Sequence, residues 1–283
     1  MTMRNQPTAR QVRLGTELRR LREAAGKSAR EVAGLLGSSS THMSQIEAGS
    51  SGIGEERLRR LAAHCACVDR ELIEALAEMA TDRTRGWWEE YRGVLPTAFL
   101  DLSELDHHAA FRHDVAVIHV PGLLQTEDYA RALFSYMAPE LPRSEVDPRV
   151  THRMRRRVVI ERPGPITYEA VIHEAALRIR VGDRAVSQAQ LERILEYSDL
   201  EHVTVRVVPF DLDGFAGAGS AMGYLGGPVP RLDTVVRDAP HGTAFIDSEA
   251  QLAHFRTLFR KVEKASLSPA HSRDFIRKLA KEL

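Results

Sequence analysis

Between residues 12 and 79 the apolar positions recur every three or four residues in short blocks, and no stretch alternates with the period of two that a half-buried strand shows. The pattern therefore predicts helices alone. Leu14, Leu18 and Leu21 form one stripe that ends at Ala25-Gly26, where glycine supplies a left-handed helix terminus. Ser28-Ala29-Arg30-Glu31 reads as a capping box that opens a short helix through Leu36, with Gly37 to stop it. Ser38 or Ser39 caps a third helix with Met43 and Ile46 turned inward, Gly49 ends it, and residues 55–65 and 70–79 supply a fourth and a fifth.

Beyond Asp82 the pattern changes. Strand-like runs fall at 115–120, 166–173, 203–208, 221–225, 234–237 and 243–246, and helical runs at 127–137, 146–161, 187–197, 249–262 and 269–281. Thr126, a capping box from Ser187 to Gln190, Asp247 or Ser248, and Ser268-Pro269 mark helix starts. The expected architecture is an α-helical N-terminal domain of five helices over 1–82, followed by a C-terminal α+β domain over 83–283 with a mixed or antiparallel sheet.

Composition narrows the class. The chain has 283 residues, 39 Lys+Arg against 39 Asp+Glu, and is 43% hydrophobic, which suits two packed cores and excludes general disorder. No run approaches the roughly 18 apolar residues of a membrane span, and no apolar stretch follows the single charge of the opening Met1–Pro7, so the reading is a cytoplasmic chain with no membrane partner. Cys65 and Cys67 lie two apart on a helical pattern and face different directions, so neither a disulfide nor a zinc site is expected. The neutral total hides an asymmetry: residues 1–30 carry eight Lys/Arg and only Glu17 and Glu23 as acids. A basic leading block on a balanced chain suits a module that binds a polyanion.

A helix ending in Gly37, a three-residue turn and a polar-tipped helix is the spacing of a helix-turn-helix, whose second member enters the DNA major groove. Ser39, Ser40, Thr41, His42, Ser44 and Gln45 occupy the start and outer face of that helix, where short side chains let the backbone approach base edges. Gln45 suits an adenine edge, Ser and Thr, Ser28 among them, suit bases or phosphates, and Arg19, Arg20, Arg22, Lys27 and Arg30 are placed to neutralise backbone phosphates. One such helix reads few base pairs, so a homodimer on an inverted-repeat, double-stranded operator is expected.

The run Leu14-x₃-Leu18-x₂-Leu21-Arg22-Glu23-Ala24-Ala25-Gly26-Lys27-Ser28, then Glu31-Val32-Ala33, Gly37, and Ser44-Gln45-Ile46-Glu47-x-Gly49, resembles the Xre/Cro-repressor class over about residues 12–79. The resemblance implies a structural Glu47 facing a neighbouring Arg. Ala29 stands where that class often has a contacting Gln. Farther on, Gly86-Trp-Trp-Glu-Glu-Tyr91, His119-Val-Pro-Gly-Leu-Leu-Gln-Thr126, His173-Glu-Ala-Ala-Leu177 and the run from His202 to Phe210 look like the WhiJ-type regulators of actinobacteria, in which an Xre helix-turn-helix precedes an antitoxin-like regulatory domain. That resemblance implies a transcriptional regulator commonly paired with a small BldB-like protein. The alternative is the antitoxin of a toxin–antitoxin pair that autoregulates its operon.

Catalytic motifs are not supported in the second domain. His173-Glu174 lacks the second His of a zincin because Leu177 fills its place, and the glycine-rich stretch from Gly214 to Gly223 lacks the Gly-Lys-Ser/Thr of a phosphate loop. Spacing does not gather His107, His108, His113 and His119 around a metal, so no enzyme activity and no cofactor are expected. The candidate partner-binding residues are Arg149, Arg153, Arg156 and Arg157, read as a basic helix face, and Gly217 and Gly219 in a reshapeable hairpin. Leu123 and Leu124 follow a strand and could line a pocket, although core packing is at least as good a reading.

Overall fold

Thr8 accepts a hydrogen bond from the Gln11 amide and its own amide donates to the Gln11 side chain, a capping box that opens α1, Ala9–Ala24. The expected Ser28–Glu31 box opens α2, Ala29–Leu35, and Ser39 caps α3, Ser40–Glu47. Glycines at positive φ, +66° at Gly26, +63° at Gly37 and +72° at Gly49, end the three helices in turn. Helices α4, Glu55–His64, and α5, Arg70–Thr81, complete the bundle. Leu18, Val32, Met43, Leu58, Leu61, Leu72 and Leu76 meet in its centre, each large side chain contributing about 1.5–3 kcal/mol by burial.

The computed structural model describes residues 6–215, 217, 220–239 and 242–283. The chain forms two compact units, Met1–Glu89 with Val229–Leu232, and Glu90–Pro228 with Asp233–Leu283. The first unit thus includes four residues from far along the chain. Val229 joins its apolar core, and Arg231 Nε reaches Glu17 at 2.7 Å. Glu17 is fully buried and is also paired with Arg13, at 3.3 Å, and Arg20.

The second unit is built on a six-stranded mixed sheet. Its strands are β1 (Phe111–Ala116), β2 (Thr167–His173), β3 (Val203–Val208), β4 (Met222–Gly226), β5 (Thr234–Ala239) and β6 (Gly242–Ile246), in the order β3-β2-β1-β4-β5-β6. The first three are parallel, and β1, β4, β5 and β6 pair antiparallel. The helices are α6 (Thr97–His108), α7 (Glu127–Met137), α8 (Arg143–Arg155), α9 (Val158–Glu161), α10 (Glu174–Arg178), α11 (Arg184–Tyr197), α12 (Glu249–Ala265) and α13 (Pro269–Glu282). One core joins Tyr168, Ala170, Ile172, Val205 and Val207 to α7, α11 and α13. Another joins Val115, Val171, Tyr224 and Val235 to Leu252, Phe255 and Phe259 of α12. Both faces of the sheet are covered, one by α7, α11 and α13 and the other by α12.

Three local expectations need correction, and one helix carried no signal in the sequence. Strand β1 lies at Phe111–Ala116 and not at 115–120: the Val120 amide donates to the Tyr129 hydroxyl and its carbonyl accepts from Gln125, bonds that take it out of any ladder. Residues 146–161 are not one helix, because α8 ends at Arg155 and α9 begins at Val158. Ser187 does not open a helix, since Asp183 caps α11 and the Ser187 hydroxyl donates to the Asp183 carbonyl at 2.9 Å. Helix α6 went unseen because its inward positions include Asp101, Ser103 and Asp106, which mask the apolar period.

Candidate functional site

The helix-turn-helix is held from behind. Met43 and Ile46 are buried, and Glu47, the last residue of α3, receives Arg22 Nε at 2.5 Å and Nη2 at 2.9 Å. The third nitrogen of Arg22 donates to the Lys27 carbonyl at 2.8 Å, so one side chain binds the end of α1, the approach to α2 and the end of α3. This is the Arg partner that the resemblance implied for Glu47. Gly15 allows α1 to lie directly on α3: a Cβ there would be 2.5 Å from the carbonyl oxygens of both Ile46 and Glu47. Arg60 Nη2 donates to the Leu35 carbonyl at 2.6 Å and so fastens α4 to the end of α2.

The outward face carries the candidate reading groups. Ser39, Ser40, Thr41, Ser44 and Gln45 are exposed and His42 is half-buried. Among the described residues, the Gln45 amide and the Thr41 hydroxyl make no hydrogen bond within the unit. Two of the serines are partly engaged: Ser39 Oγ accepts from the His42 amide at 3.1 Å, and Ser44 Oγ donates to the Ser40 carbonyl at 3.0 Å. His42 Nδ1 lies 3.4 Å from Ser51 Oγ. Ser28 Oγ donates to Glu31 at 2.6 Å and accepts from its amide, so its hydroxyl serves the cap first. Lys27 is half-buried and Arg30 exposed. Arg19 donates to Glu23 at 2.7 Å, an exposed pair of small net energy that can open toward a phosphate. Sequence reasoning missed the Glu17 cluster, because a fully buried carboxylate among arginines has the same sequence signature as a solvated helix face.

In the second unit the four candidate arginines do not share one solvated face. Arg156 is buried and donates through Nε and Nη2 to Asp106 at 3.0 and 2.7 Å. Asp106 also accepts from Arg112 at 2.5 Å, while Arg112 Nε and the Tyr168 hydroxyl donate to Asp114 at 2.9 and 2.8 Å. Burial pushes the Asp106 carboxyl up, but the Arg156 and Arg112 charges outweigh it and hold it below the ordinary range. Arg153 Nη1 donates to the Gln125 amide oxygen at 2.7 Å, and burial, then the Arg156 charge, push Arg153 down to about 9. Arg149 is tied to Glu145, and Arg157 Nε donates to the Met154 carbonyl at 3.1 Å.

Gly214 and Gly217 adopt positive φ, +74° and +90°, in the connection from β3 to β4, and Gly219 lies outside the described residues. Leu123 and Leu124 are fully buried core residues. The histidines are held apart, His107 against His108 and His113 stacked on Phe259. Among the described residues no group of three or more His, Cys, Asp or Glu side chains could hold a metal ion.

These features define a two-unit helix-turn-helix protein with an α+β second unit; residues 13–76 match the model described as a helix-turn-helix domain, a DNA-binding module. The chain belongs to the family described as domain of unknown function (DUF5753), whose model matches residues 99–278. No curated protein and no solved structure matches the chain. Among the described residues no helix is long and apolar enough to cross a membrane.

Proposed function

We propose that the chain is a sequence-specific transcriptional regulator and not an enzyme. Helix α3 reads an operator with Gln45 as the principal base contact and Ser39, Ser40, Thr41, His42 and Ser44 around it. Arg19, Lys27, Arg30 and the Ser28 turn engage phosphates. The observation that carries this reading is the two-sidedness of α3: a core-anchored, Arg22-clamped back and an exposed polar front on which the side-chain amide of Gln45 makes no hydrogen bond among the described residues. Phosphate contacts position such a helix and base contacts give it specificity. A homodimer binding an inverted repeat supplies the second half-site that one helix lacks.

In this reading the second unit receives the signal, a small protein of the BldB-like kind or a small molecule, on a surface drawn from Arg149, Arg153, Arg157 and the glycine-rich connection holding Gly217 and Gly219, with the buried Arg156 bracing it from below through Asp106. If the partner is a toxin encoded beside it, the chain is the antitoxin of that pair.

The test is selection of bound sequences from random duplex DNA by the full chain, followed by Gln45→Ala on the selected site. The expected result is a two-fold symmetric consensus and a loss of about 1–3 kcal/mol on the cognate sequence with little change on random DNA. Absence of any enriched consensus, or equal loss on both DNAs, refutes Gln45 as the reader.

A further inference from the structure

Arg153 of the second unit is a half-buried guanidinium that no carboxylate pairs within salt-bridge distance among the described residues. Asp106 and Asp114 are matched by Arg112 and Arg156. Arg153 is the third guanidinium of the cluster, and among the described residues it has no carboxylate in salt-bridge reach. Its one hydrogen bond goes to the neutral amide of Gln125, its flat face lies 4.9 Å from the Phe134 ring centre, and its Nε is buried without a partner. A guanidinium does not shed its proton to relieve such a site. Its Nε donor therefore stays desolvated and unmatched until an acceptor meets it.

Strand β1 stands where the parallel half of the sheet meets the antiparallel half, between β2 and β4. Gly122, just beyond β1, lies against the guanidinium, and a Cβ there would stand 3.2 Å from Arg153 Nη1. His119 lies in the loop after β1 and Asp238 near the end of β5, and the Asp238 charge acts on both His119 and Arg153. Arg153 is not sealed in, because part of the side chain remains open to solvent.

We propose that Arg153 anchors a binding site for a small-molecule oxyanion, a carboxylate or a phosphate group, at the carboxyl end of β1. The fork of an arginine presents paired donors that match either anion. The proposal rests on the reading of the second unit as the part that receives a signal, and it names the chemistry of that signal.

The experiment is thermal melting of the full chain against sodium phosphate and, separately, sodium acetate, with sodium chloride holding ionic strength constant. One or both anions raise Tm saturably, by about 5–10 °C at a hundredfold excess over Kd, and the arm that responds tells phosphate from carboxylate. Arg153→Gln abolishes the rise. Lys27→Gln, which weakens any phosphate binding on the helical unit, keeps it. Arg153→Lys retains the charge without the fork and covers the case in which Arg153→Gln fails to fold; it raises Kd several-fold. Without added anion, Arg153→Met melts no lower than the parent, because it removes a half-buried guanidinium that no carboxylate pairs. The proposal is overturned if neither anion exceeds chloride, if Arg153→Gln responds like the parent, or if Arg153→Met alone melts far below it. Operator binding is read separately on the helical unit, so loss of that reading leaves these outcomes interpretable.

Discussion

Replacing Gly15 by alanine sets two known effects against each other at the contact that seats the recognition helix. Alanine in a helix interior is favoured over glycine by about 1 kcal/mol. Against this, the new methyl would lie 2.5 Å from the carbonyl oxygens of Ile46 and Glu47 and 2.8 Å from the Glu47 carbonyl carbon, where ordinary contact begins at 3.4 Å. Helices α1 and α3 must therefore part by about 0.9 Å at this point. Every atom in the way is backbone, in a helix pinned by Met43, Ile46 and the Arg22–Glu47 pair, so relief by side-chain rotation is closed. Overpacking of this kind costs about 1–3 kcal/mol, and the upper part of the range applies. The expected net loss is about 1–2 kcal/mol, or roughly 5–10 °C in the melting of a unit of this size. Operator affinity falls as well, since the face that carries Gln45 moves with α3. Urea unfolding followed by tryptophan fluorescence reads the stability term, because Trp87 and Trp88, the only tryptophans, belong to the first unit. Mobility shift on the selected operator reads the other term. If Gly15→Ala unfolds at higher urea, as helix propensity alone requires, and binds with parental affinity, the close approach of α1 to α3 is not a constraint.

Three further outcomes follow from the same geometry. Lys27→Ala lowers affinity for all sequences alike and reduces the slope of log K against log salt by about 0.9, the release of one phosphate's counterions; an unchanged slope removes Lys27 from the footprint. Asp106→Asn takes the shared carboxylate from Arg112 and Arg156, two buried guanidiniums, and destabilises the second unit by about 3–5 kcal/mol; parental melting would contradict the network. Burial lowers His152 to about 3 and His113 to about 4, so both are neutral when folded, while the unfolded chain takes up their protons near 6.5. Stability from these groups is fully present above about pH 6.5 and falls with acid toward pH 3–4, at about 1.4 kcal/mol per histidine per pH unit. Urea unfolding at about pH 7.5 and 5 measures it; His152→Gln flattens the profile, and equal stability at the two pH values refutes the argument.

The sequence by itself determined the helical unit nearly to the residue. Its signals are local: Ser28 and Glu31 are three apart, Gly26, Gly37 and Gly49 each end a helix by a backbone angle, and Met43 and Ile46 share one face by helical period alone. The outward set from Ser39 to Gln45 was legible for the same reason, being what remains once the inward positions are assigned. Tertiary structure alone decided the rest. Arg112, Asp114 and Arg156 are charged residues in a sheet-and-helix interior, and no local pattern shows that a carboxylate on α6 neutralises guanidiniums on β1 and just past the end of α8. That pairing hid α6 and took Arg156 out of the apparent basic face, while Arg149 pairs with Glu145 and Arg153 donates to a neutral amide. Val229 and Arg231 likewise read as loop residues, and only folding shows them in the first unit, against its apolar core and Glu17. Caps and periods act within a few residues of chain, whereas the balance of buried charge is settled between segments that meet only when the chain has folded.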